Sequence, residues 1–209
     1  MKIFSYCEQT TGLYPRHPVV CMLDIMGLCI AVGFYLYRPT LTLAVLPFAV
    51  GVQYTASCLY HWLPNRKHWW AFDHLAIAFL ITATYVQFWI GGLPSDASHW
   101  RIFFLFAMML NVWLITVAEP NNGLLRGVLY AVLTFIGLVL SLLHPGMLPF
   151  EGWVVFIAGI ALYGIQQLIL AVESPNPMPE VFGYREVQHC ILVAASTTHL
   201  FVAAKYLAP

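Results

Sequence analysis

Four side chains in this sequence could act together: Ser57 and His61, four residues apart, then Asp73, then His189. Imidazole nitrogens and a carboxylate are donors that zinc accepts, a carboxylate can also move a proton, and a serine hydroxyl can donate to an oxyanion. On a helix Ser57 and His61 share a face, separated by about 6 Å along the axis. Arg185 and His189 repeat that spacing later in the chain. Each of His61, Asp73 and His189 stands near the end of a long apolar stretch, and ionisable groups gathered at one depth of a bilayer mark a polar site.

The elements that must position these groups follow from composition. Of 209 residues 61% are hydrophobic and 9% charged, and the mean hydropathy is +0.78. This is the balance of an integral membrane protein. Seven stretches are long enough to cross a hydrocarbon core of about 30 Å as helices. They lie near 18–37, 40–62, 70–91, 100–118, 124–143, 150–172 and 184–206. Runs such as Val128 to Leu143 are apolar on every face, which excludes the alternating pattern of a membrane β-barrel. The connections are short and punctuated by Pro, Gly and Asn, as in Leu63-Pro64-Asn65 and Ser174-Pro175-Asn176-Pro177. The expected architecture is all-α, a seven-transmembrane helix bundle forming a single domain over residues 1–209.

Counting spans alternately up and down brings the end of the second and the starts of the third and seventh to one side. That side carries Lys2, Arg16, Arg66, Lys67, Arg126 and Arg185, against Arg38, Arg101 and Lys205 opposite. The positive-inside rule therefore makes the N-terminus cytoplasmic and the C-terminus outside. Residues Met1 to His17 are too polar for a cleaved signal peptide. Net charge is zero, so no basic patch points to nucleic acid as a partner. Five cysteines without a C-x-x-C pair read as small buried thiols.

Other polar residues divide by position. A single histidine at a helix end is commonly an interfacial side chain reaching water, the reading given to His68 and His74 together with Glu173 and Arg66. His199 lies about 15 Å deeper than His189 on one helix and cannot readily share an ion with it. A buried interhelical hydrogen bond is its expected role. Asp24, in the middle of the first span, requires a partner on a neighbouring helix that the sequence does not identify. Lys205 near the outer boundary is read as snorkelling.

These residues resemble a family, the haemolysin III proteins with the progestin and adipoQ receptors, seven-helix membrane proteins related to alkaline ceramidases. The likeness runs through Ser57-Cys-Leu-Tyr-His61, Phe72-Asp73-His74-Leu-Ala-Ile77 and Ile81-Thr-Ala-Thr-Tyr85, resumes at Phe182-Gly-Tyr-Arg-Glu-Val-Gln-His189, and reaches His199-Leu-Phe201. The resemblance implies a Zn²⁺ site at the cytoplasmic ends of the second, third and seventh helices, with His61 and His189 as ligands. It further implies Asp73 holding a metal-bound water and Ser57 beside it. It also implies a bacterial inner membrane protein with a membrane lipid as substrate or ligand.

One position departs from the pattern: where the family has the first histidine of an H-x-x-x-H pair, this chain has Arg185. A guanidinium stays protonated and offers no lone pair. Val86-Gln87 also stands where relatives have Thr-Pro. Two outcomes follow. Zinc can persist on His61, His189 and a carboxylate from Asp73 or Glu186, supporting hydrolysis of a lipid amide or ester with Asp73 and Ser57 as catalytic residues. Alternatively Arg185 pairs with Asp73, the metal site is degenerate, and the protein is a non-enzymatic receptor or membrane-modulating protein.

Overall fold

The computed structural model describes residues 17–40, 43–63, 66–92, 102–103, 105–110, 113, 123–178 and 181–207. Six long helices are seen among them: α1 Pro18–Tyr37, α2 Val45–Trp62, α3 Arg66–Gly92, α4 Gly123–Leu142, α5 Phe150–Val172 and α6 Tyr184–Tyr206. Residues 102–103, 105–110 and 113, within the expected fourth span, are helical as well; the rest of that span lies outside the described residues. Among the described residues five helices are long and apolar enough to cross a membrane: α1, α4 from Leu125, α5, α6 and the part of α3 from His68. α2 falls outside that set because Gln53, Ser57 and His61 lower its hydropathy, and all three point inward.

Two boundaries differ from the expectation for identifiable reasons. α2 begins at Val45, five residues after the expected start at 40, because Pro47 belongs in a first turn, where its missing N–H and its ring do no harm. The free N–H of Leu46 in that turn is taken by Gln87 Oε1 from α3 at 3.1 Å. Gln87, unexplained in the sequence, thus caps a neighbouring helix, and α3 runs without a proline break. α3 also starts at Arg66, four residues before the expected 70, continuing beyond the apolar stretch.

The helices form a chain of neighbours: α5 packs on α6, α6 on α1, α1 on α2, α2 on α3 and α3 on α4. Large apolar side chains such as Met22, Leu36, Phe135 and Leu168 face outward, as a lipid-facing surface requires. Inside, small residues bring backbones close. At Gly27 on α1 an added Cβ would lie 2.4 Å from Cε2 of Tyr54. Tyr54 is fully buried and tethered through its hydroxyl to Ser196 Oγ of α6 at 2.7 Å, so its ring cannot swing aside. Gly27→Ala is therefore expected to destabilise the bundle by about 1–3 kcal/mol, read as a lowered midpoint of thermal unfolding in detergent. An unchanged midpoint would show that α1 and α2 can separate at this point without cost.

A polar cluster at one end of the bundle

The start of α1, the end of α2 and the starts of α3 and α6 meet at one end, and each contributes polar side chains. On α2, Gln53, Ser57 and His61 follow at intervals of four, so all three face the interior. On α6, Gly183 precedes the first turn and its N–H is accepted by Glu186 Oε2 at 2.8 Å, which anchors that carboxylate. His189 stands one turn deeper and is buried.

The partner that Asp24 required is His189: Nδ1 lies 3.0 Å from Asp24 Oδ1, with the Asp24 side chain wholly buried and that of His189 6% exposed. An ionised carboxylate only accepts, so the Nδ1 proton belongs to this bond and the Nε2 lone pair is left to face elsewhere. The His189 ring meets His61 edge to face, centroids 5.3 Å apart and planes at 84°. A third imidazole follows: His17, the residue before α1, also meets His61 edge to face, at 5.1 Å and 89°. His17 Nδ1 in turn faces Glu186 Oε1 at 3.8 Å.

Asp73 is buried and within electrostatic reach of His189 and Asp24. Its Oδ1 accepts from Gln53 Nε2 at 3.1 Å, tying α3 to α2. His74 Nδ1 lies 3.9 Å from Asp73 Oδ2, but its closer partner is the Trp70 carbonyl at 2.9 Å, which holds the ring against its own helix instead of letting it reach for water. Arg185, half-buried, sits beside the Tyr184 ring with Cζ 5.6 Å from the centroid. Among the described residues no Arg185–Asp73 ion pair forms. The salt bridge that would take the place of an ion is thus not what occupies this end of the bundle.

Three buried polar atoms in this region have no hydrogen-bonding partner in the polypeptide: Asp24 Oδ2, Gln53 Oε1 and Ser57 Oγ. Their desolvation is uncompensated by the chain itself. Among the described residues no three His, Cys, Asp or Glu side chains already converge as a ready metal set. Among the described residues Cys21, Cys29, Cys58 and Cys190 form no disulfide, and Cys21 Sγ lies 3.8 Å from the Cys58 carbonyl.

His61, Asp73, Ser57 and His189, singled out in the sequence, do occupy the same end of the bundle, whereas Glu186 serves the start of α6 and His17. Two members were missed. Gln53 was visible as the third step of the 53, 57, 61 stripe, and His17 shares the side of the membrane assigned to the others by span counting. His199 forms a separate, deeper centre: Nε2 lies 3.1 Å from the Phe156 carbonyl of α5, and its ring stacks on Tyr163 at 5.5 Å and 11°. That is the interhelical hydrogen bond expected of it. The profile of a family described as haemolysin-III related matches residues 11–200.

Proposed function

Since the chain belongs to the haemolysin-III related family, we propose that this integral membrane protein binds zinc at the end of the bundle where His61 and His189 meet, and hydrolyses an amide or ester bond of a membrane lipid. The observation that carries the reading is Asp24 on Nδ1 of His189 at 3.0 Å. A carboxylate behind the remote nitrogen of a histidine is the arrangement that orients metal-bound imidazoles. Ring spacing supports it as well. Two imidazoles on one tetrahedral zinc, with Zn–N of about 2.0–2.1 Å, hold their centroids about 5.2 Å apart. His61 and His189 stand at 5.3 Å.

Bound zinc supplies Lewis-acid polarisation of an acyl carbonyl and acidifies water to a pKa of about 7. The chain's own groups do the rest. Asp73 can take a proton once Gln53 yields its Oδ1, and Ser57 Oγ, buried without a partner, can donate to a developing oxyanion. Arg185, in the first turn of α6, is chemically suited to a headgroup phosphate. The outward apolar surface allows a substrate to arrive through the bilayer, and the polar end then meets its head.

The test is zinc content by inductively coupled plasma mass spectrometry on detergent-purified protein, followed by hydrolysis assays on acyl-amide and acyl-ester lipids. About one zinc per chain with lipid turnover upholds the reading. Asp24→Ala is expected to weaken zinc binding about 10–100-fold while His61 and His189 remain, because the imidazole loses its orienting partner. Equal zinc affinity in that variant would remove Asp24 from the site.

A second reading is favoured by Arg185 alone: a permanent positive charge one turn before His189 on α6 disfavours a cation there, and the protein would then be a metal-free receptor or membrane-modulating protein. It predicts no zinc in the natural protein and none of the lipid turnover.

A further inference from the structure

We propose that Cys21 and Cys58 form a reactive dithiol, a site at which hydrogen peroxide is reduced while the two thiols close into a disulfide between α1 and α2. The inference stands apart from the zinc reading and concerns groups which that reading does not use.

Helix packing makes the pair. Leu28 on Gly51, Gly27 on Tyr54, Cys21 on Cys58 and His17 on His61 follow in order. The two helices therefore run antiparallel in continuous contact, and the two cysteines share one rung of it. Cys21 Sγ lies 3.8 Å from the Cys58 carbonyl, and the two thiols are within hydrogen-bonding reach of each other. A disulfide asks for Cα atoms about 4.4–6.8 Å apart, a separation that packed helices reach where small side chains meet. This rung has cysteine on both sides, with Gly27 further along the same contact. The bond would lie beside the polar cluster, since Cys58 follows Ser57 and Cys21 stands three residues before Asp24. Oxidation would thus clamp together the helices that carry Asp24 and Ser57.

Exposure assigns the order of events. Cys58 is half-buried whereas Cys21 is 1% exposed, so peroxide meets Cys58 first. The Cys58 sulfur attacks one peroxide oxygen, the O–O bond breaks, and the hydroxide released takes the thiol proton and leaves as water. Cys58 is then a sulfenic acid. Cys21 attacks that sulfur: the S–S bond forms, the S–O bond breaks, and the hydroxyl leaves with the Cys21 proton as a second water. The two thiols give up two electrons, one peroxide accepts them, and no further reactant is needed.

The experiment takes the full chain in detergent, reduces it, removes the reductant and adds one equivalent of hydrogen peroxide. Remaining thiols are alkylated in denaturant and peptides are identified by mass spectrometry without reduction. The expected result is a linked Cys21–Cys58 peptide, lost on treatment with dithiothreitol, with Cys29 and Cys190 still alkylated and the thermal midpoint raised in the oxidised protein. In Cys21→Ser, dimedone is expected to trap the sulfenic acid on Cys58, and in Cys58→Ser the thiol of Cys21 is expected to survive. Size-exclusion profiles check that both variants fold, and the linked peptide is read in the natural protein without either. Alkylation of both Cys21 and Cys58 after peroxide would overturn the proposal. So would thiol loss confined to Cys29 or Cys190, or disulfides found only between chains. Dimedone on Cys21 in Cys58→Ser, with none on Cys58 in Cys21→Ser, would overturn the order of attack.

Discussion

His61→Ala is expected to reduce zinc from about one per chain to near none and to bring lipid hydrolysis down to the uncatalysed background. The residue is central by geometry: its ring is the one in contact with both His17 and His189, and it is 5% exposed at the end of α2. No neighbour can stand in for it, because Ser57 one turn earlier lacks a nitrogen donor and Tyr60 faces along the same turn. Truncation also leaves a small cavity, so His61→Gln belongs beside it: the amide keeps volume and polarity but is a poor zinc ligand. Metal content and turnover should fall together in both variants while the thermal midpoint of His61→Gln stays near that of the natural protein. Turnover persisting in folded, zinc-free His61→Ala would remove this end of the bundle from catalysis.

The second large effect is expected at Asp73. Asp73→Asn should lower kcat about 10²–10⁴-fold, the usual cost of losing a general base, with zinc content unchanged. The substitution suits the question because the asparagine carbonyl can still accept from Gln53 Nε2, the bond that ties α2 to α3 at 3.1 Å. What is lost is the ability to take a proton. A parallel loss of zinc would make Asp73 a ligand instead of a base. A lowered thermal midpoint with no turnover to lose, in protein free of zinc, would place the chain with the non-enzymatic reading.

Much of this was legible without coordinates. Hydropathy alone located α1, α5 and α6 to the residue, since a run that must fill a bilayer ends where charge or proline begins. The i, i+4 pair Ser57 and His61 and the lone acid Asp73 stood out because polar groups are scarce in such spans. The start of α2 was misjudged for a local reason, Pro47, that a window average does not weigh. His74 was read as reaching water, yet it is bound to the Trp70 carbonyl, which a one-dimensional pattern cannot foresee.

The sequence by itself determined the class of protein, the helices and the few polar groups that need explanation, because the bilayer penalises each buried polar atom and so makes every exception visible. Only the tertiary structure decided which exceptions answer one another. Asp24 and His189 are 165 residues apart, and His17 lies 44 residues before His61 and 172 before His189 by their numbers. Periodicity assigns a residue to a face of its own helix, whereas the partner across the interface depends on the rotation and depth of two packed helices. Those are set by close contacts such as Gly27 on Tyr54 and Gly159 on His199, which act between helices and leave no pattern along either one.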